Sequence, residues 1–183
     1  MKGMVFTEFL TFVEDNFGYE LVDNIITDSQ LANNGAYTAI GTYDHEDMVK
    51  LVSALSKRLN TPIPDLLKTF GKHLFFRFKA LFPHFFHENQ TAFDFLSSVH
   101  DYIHIEVKKL YRDAELPRFE YEKPNPNTLI MYYTSSRHFE DLAEGLIAGC
   151  IELHHEKISI KKEVIPIEGP EKTKIKFTMT KEA

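Results

Sequence analysis

Two histidines stand one helical turn apart in the segment that runs from Phe93 to Tyr111: His100 and His104. At that spacing their side chains share one helix face. Two imidazoles so placed are able to clamp a zinc ion. Zinc needs a third protein ligand, however, and the face around them is apolar: Phe93, Leu96, Ile103 and Val107. One imidazole on an apolar face suits a different task, axial ligation of iron held in a flat macrocycle and shielded from water. The bland alternative is a packed core histidine. Of the other histidines, His154 and His155 are adjacent and must diverge, and the rest read as surface or rim residues.

A second group follows at Tyr133-Thr134-Ser135-Ser136-Arg137. In an extended segment alternate residues point the same way, so Tyr133, Ser135 and Arg137 would present two hydroxyls and a guanidinium together. Arginine forks onto carboxylate oxygens, and hydroxyls donate alongside it. The trio therefore suits a ligand with two carboxylates. A large apolar body bearing two carboxylates describes haem b. Taken alone, the motif favours an edge strand with incidental polar residues.

The elements that must position these groups are legible in outline. Apolar spacing from Val5 to Phe17 predicts a helix over 2–17, stopped by Gly18. A second helix is expected from Glu20 to Thr27, then a polar loop from Asp28 to Gly41. Thr42 or Asp44 caps a helix running to about Leu59. Pro62 and Pro64 break the chain, and helical spacing resumes from Leu66 to Phe82, where Pro83 ends it. Phe93 to Tyr111 reads as one continuous helix. The pattern then changes to a strand at Leu129–Thr134 and a helix from about Phe139 to Glu152. Two alternating strands close the chain around Ile158–Ile165 and Ile175–Met179, with Glu168-Gly169-Pro170 as the turn between them. The fold class is α+β: helices, then an antiparallel sheet with one helix.

Composition narrows the classes. Hydrophobic residues at 43% and charged residues at 26% fit an ordinary globular domain, so 183 residues make one domain able to bury a core. The net charge of −6 speaks against a nucleic-acid or anionic-membrane binder. No apolar run reaches the length of a membrane span, and the N-terminus lacks a signal core. The single cysteine, Cys150, rules out an internal disulfide and a cysteine-rich zinc site. The expected location is cytoplasmic. Sixteen Phe and no Trp are present, with many of the Phe between 70 and 95. Such a segment is either a Phe-rich core helix or the wall of a pocket for a large flat ligand.

Taken together, these features resemble the H-NOX family, the haem–nitric oxide/oxygen-binding domains related to the sensor domain of soluble guanylate cyclase. The resemblance spans the whole chain: Met-Lys-Gly at the start, Ile103-His104-Ile105-Glu106-Val107, Leu116-Pro117-Arg118, and the family signature Tyr133-x-Ser135-x-Arg137. It implies His104 as the proximal iron ligand, with His100 a bystander. Tyr133, Ser135 and Arg137 would hold the haem propionates, and Pro117 would press on the porphyrin. Val5, Phe9, Leu74, Phe78, Phe82, Leu142 and Leu146 match positions around the haem. The implied fold is an N-terminal helical subdomain, approximately 1–62, packed on a mixed subdomain, 63–183, with haem between them.

The resemblance also implies a ligand preference. Oxygen-binding members place a distal Tyr where this chain has Leu142, and often place polar residues where it has Phe9 and Leu74. Bound O2 gains from a hydrogen bond, whereas NO binds ferrous iron without one, so NO and CO binding with poor O2 binding is expected. His73 adjoins Leu74 but should point away on a helix. The expected role is a sensor rather than an enzyme. NO would weaken the iron bond to His104, release its helix and shift the subdomains. With no catalytic domain before Ala183, signalling in trans is expected, to a histidine kinase or a cyclic-di-GMP enzyme. The competing readings are an O2 sensor or carrier, a haem peroxidase, which would need distal acid–base groups, and a module without haem.

Overall fold

Helix α1 (Gly3–Phe17) buries Phe6, Phe9, Phe12 and Val13 along one face and stops at Gly18, whose φ of 86° only glycine adopts readily. This and the following elements come from a computed structural model that describes residues 1–166 and 173–182. Helix α2 (Tyr19–Ser29) follows, then a loop, then α3 (His45–Leu59). Asp44 caps α3 by accepting from the Glu46 amide at 3.1 Å. Helix α4 (Ile63–Leu81) starts three residues earlier than the spacing predicts. Pro62 lies just outside the helix and Pro64 in its first turn, where a missing N–H costs no hydrogen bond.

The expected single helix over 93–111 is instead three pieces in one run. Helix α5 (Ala92–Ser98) opens with a capping box between Thr91 and Asp94. A π-helical turn covers Val99–Ile103, and α6 (His104–Leu110) completes the run. The wider turn shifts the helix face, so His104 begins a new helical segment.

The sheet has four antiparallel strands in the order β1-β2-β4-β3. Strands β2 (Thr128–Ser135), β3 (Ile158–Ile165) and β4 (Thr173–Lys181) match the alternation in the sequence. Strand β1 (Arg118–Asn125) has no counterpart among the expected elements: it is an exposed edge strand carrying Glu120, Glu122 and Lys123 among its apolar residues. The turn expected at Glu168-Gly169-Pro170 lies outside the described residues. Helix α7 (Glu140–Leu153) packs on the sheet and against α4.

Two apolar clusters result. One joins α1, α2 and α3 with Leu66, Leu67, Phe70 and Leu74 of α4 and with Phe139 and Leu142. The other joins the inner face of β2 and β4 with α5, Phe75 and the far side of α7. The Phe-rich segment divides between them: Phe70 enters the first, while Phe75 and Phe95 enter the second and enclose Phe86. Helices α4 and α7 thus serve both clusters. Their axes approach closely because Gly71 meets Leu142 and Gly145 meets Lys68 main chain to main chain.

Candidate cofactor site

His104 sits where the π-helical turn becomes α6. Its Nδ1 is buried with no partner at hydrogen-bond geometry, although the main chain of Pro117 lies near enough to favour a proton on the ring. Burial pushes the imidazole down to about 4, and the neighbouring His100 and Lys108 charges push the same way. At neutral pH the ring is therefore uncharged and keeps a lone pair for a Lewis acid. His100 differs. Its Nδ1 accepts from the Phe119 amide at 3.4 Å, while the two imidazole centroids stand 6.3 Å apart. Of the two histidines, only His100 has a main-chain partner at hydrogen-bond geometry.

Phe119 joins His104 to the second group. Its ring lies 5.7 Å from the His104 imidazole and 5.6 Å from the Tyr133 ring. Tyr133 faces inward from β2 and is 3% exposed. Burial pushes its phenol above the usual value, partly offset by hydrogen bonds to Ser135 and to the main chain of Phe139. The strand ends at Ser135, so Arg137 joins the group through a turn and not by the strand alternation that the sequence suggested. Its amide donates to Ser135 Oγ at 3.1 Å. Its guanidinium donates to the Glu115 carbonyl at 3.1 Å and also pairs with the Glu115 carboxylate. Beside Arg137 opens a polar cleft of about 190 Å³, lined in part by Lys2, Thr42, His45 and Asp113.

The apolar candidates gather at the α1–α4–α7 junction. Phe9, Leu74 and Leu142 are buried in one cluster, and Val5 and Phe78 pack half-buried against it. Leu146 touches both clusters. Phe82 caps α4, its ring 6.3 Å from Phe78 and 6.1 Å from Phe85. The His73 ring lies 5.1 Å from Phe12, and Arg77 of the same helix forks onto the buried Glu8.

Sequence reasoning missed two residues here. Phe119 lies in the strand outside the expected elements, and Glu115 is an exposed acid with nothing in its local pattern to mark it. Phe119 had a signal in the alternation Phe119-Glu120-Tyr121-Glu122, which the expected elements left unused.

An uncharged imidazole with an unpartnered buried nitrogen, the Phe119 ring that links it to Tyr133, and hydroxyls beside a guanidinium fit a flat cofactor that takes one axial ligand and carries carboxylates. On this frame of helices and antiparallel sheet they suit the class of haem-binding domains. The chain belongs to the H-NOX family: the family model described as Haem-NO-binding matches residues 2–162. It is similar to the Fe(II) unliganded H-NOX protein from K. algicida, with 40% identity over 100% of this chain and 97% of that one, at a TM-score of 0.91. The H-NOX from Shewanella woodyi, solved with IWP-051 in the Fe(II)CO ligation state, is 36% identical over 100% of this chain and 95% of that one, at a TM-score of 0.83. A single-substitution mutant of T. tengcongensis H-NOX shares the fold at 20% identity, covering 100% and 98% of the two chains, with a TM-score of 0.87. No curated protein matches. No helix among the described residues is long and apolar enough to cross a membrane.

Proposed function

We propose that this chain senses nitric oxide at a ferrous haem b, binds O2 poorly, and signals in trans to a partner enzyme instead of catalysing a reaction. The observation that carries the ligand preference is the character of Phe9, Leu74 and Leu142. They are buried together, and none has a group able to donate a hydrogen bond. A hydrogen bond to a charged acceptor is worth about 1.5–3 kcal/mol, or roughly 10- to 150-fold in affinity. O2, which needs that donor, forgoes it here.

When bound, haem would supply a ferrous iron able to take NO or CO. His104 offers the imidazole lone pair, and its burial keeps it uncharged. Tyr133, Ser135 and Arg137 would hold the two carboxylates through hydroxyl and guanidinium donors. Pro117, whose main chain lies by His104, would press on the ring system. Val5, Phe78, Phe82 and Leu146 would complete an apolar lining that excludes water. A shift of His104 reaches the loop 111–117 directly, because α6 runs into it, and Glu115 of that loop passes the shift to Arg137. Such a shift regulates a partner that contacts the two arrangements unequally. The family resemblance points to a histidine kinase or a cyclic-di-GMP enzyme as that partner.

Optical spectra of the purified ferrous protein test this: anaerobic, in air, and with NO. A spectrum changed by NO and CO but showing no oxy complex in air is the expected result. A stable oxy complex in air overturns the selectivity and favours an O2 sensor or carrier. Failure to take up haem on reconstitution overturns the whole reading.

A further inference from the structure

Lys2 is remote from His104 in sequence, yet it is tied to the loop that follows the His104 helix. Its side chain is only 14% exposed. The ammonium donates to the Ile40 carbonyl at 2.8 Å, to Thr42 Oγ1 at 2.8 Å and to both Asp113 oxygens at 3.3 Å. It also lies 5.1 Å from the centroid of the Tyr111 ring. Thr42 donates to the same Asp113 carboxylate. The main chain holds Lys2 and Thr42 side by side, through their β-bridge and through the Gly3 amide on the Gly41 carbonyl at 2.8 Å.

The far side of this node belongs to α6. Tyr111 ends that helix, its amide donating to the Val107 carbonyl at 2.8 Å. The Ala114 amide then donates to the Tyr111 carbonyl at 3.0 Å, and Ala114 is buried. Asp113 is thus held in a turn tied to the end of the helix, and the chain continues to Pro117 beside His104. Most exposed ion pairs contribute little, because two mobile side chains must be ordered to form them. Here the lysine is mostly buried, and its acceptors come from two separate segments that the backbone already fixes. Lys109–Glu106 makes the contrast: that pair lies within α6 and joins it to nothing else.

We infer that Lys2 and Asp113 are positioning residues: they form a clasp that sets the C-terminal end of α6, and through it His104, against the N-terminal segment. The clasp governs how readily α6 moves when a gas binds. This deepens the sensor reading and rests on it.

The test uses the haem-loaded ferrous protein with and without NO, as wild type, Lys2→Gln, Asp113→Asn and the double variant. Arg58→Gln, which breaks the comparable Asp28–Arg58 pair elsewhere, serves as control. Amide hydrogen exchange over residues 104–114 without NO should be about three- to fivefold faster in each single variant, the factor a networked pair supplies. The double variant should add little further. The control should match wild type. In NO, the optical spectra of the two single variants should move toward that of His104→Ala in NO. Unchanged exchange, additive effects, or an NO spectrum identical to wild type each overturns the clasp. A wild-type spectrum that does not respond to NO overturns the sensor reading instead, and exchange without NO still judges whether Lys2 and Asp113 position α6.

Discussion

Arg137 grips Glu115 at two points, donating to its main-chain carbonyl at 3.1 Å and pairing with its carboxylate. The two ends of this contact are unequal. The Arg137 side chain is 17% exposed and that of Glu115 is 83% exposed. The carboxylate half is therefore screened by water and weak, and the carbonyl remains whatever residue stands at 115. Glu115→Gln should change unfolding free energy by less than about 1 kcal/mol. Arg137→Ala should speed haem loss to an acceptor protein by roughly 10- to 150-fold, the value of one charge-assisted hydrogen bond. Equal rates for Arg137→Ala and wild type would show that Arg137 holds no part of the cofactor.

The paired histidines give a sharper contrast. His104→Ala should lose the axial-ligand spectrum, and added imidazole should restore it. His100→Ala should keep that spectrum. Its cost is instead structural, because the Phe119 amide loses its acceptor. That change should lower stability by about 1 kcal/mol in a urea titration. The reverse pattern, with the spectrum lost in His100→Ala alone, would exchange the two roles.

The candidate site was legible in the sequence where neighbours in the chain are neighbours in space. Tyr133 and Ser135 share a strand, and strand alternation brings them together. His100 and His104 were legible as a pair, but the π-helical turn between them was not, because apolar spacing counts residues and not the width of a turn. Strand β1 was missed because its alternation spans only Phe119-Glu120-Tyr121-Glu122 and no residue of this edge strand is buried, so the apolar pattern there is short and weak. Lys2–Asp113 and Arg137–Glu115 join segments remote in sequence, and no local pattern records such a meeting.

Acid should weaken the apoprotein through His104. Its folded value is lowered from 6.5 to about 4, so the folded protein takes up the proton less readily than the unfolded chain. A depressed value of this kind contributes stability that is fully present above the unfolded value and is lost as pH falls through the folded one. The loss should therefore fall between about pH 6.5 and 4, and is worth roughly 3 kcal/mol at most. His73 is also lowered by burial and would titrate in wild type and variant alike. Urea unfolding of the apoprotein at stepped pH, compared with His104→Leu, isolates the His104 share. Parallel curves for the two proteins would refute it.

The α4–α7 contact should be intolerant of a single methyl group. A Cβ at Gly145 would fall on the Lys68 carbonyl oxygen, which is backbone and has no rotamer to yield. The helices must then separate, and both apolar clusters share them. Gly145→Ala should cost about 1–3 kcal/mol and lower the melting temperature by several degrees, despite alanine's better helix propensity. An unchanged melting temperature would mean that the helices slide apart freely.

Leu142 offers the most direct route to altered ligand choice. It is buried in the same cluster as Phe9 and Leu74, and it belongs to α7, whose start follows Arg137. A phenol there would bring a donor into surroundings that hold none on these three residues, and in a low dielectric such a bond is strong. Leu142→Tyr should raise O2 affinity by roughly 10- to 150-fold, measured as an oxy spectrum in air. Leu142→Phe matches the added bulk without the hydroxyl and should show no such gain. Should both variants gain O2 affinity alike, pocket shape and not the missing donor would set the selectivity. Should neither gain it, Leu142 does not face the gas.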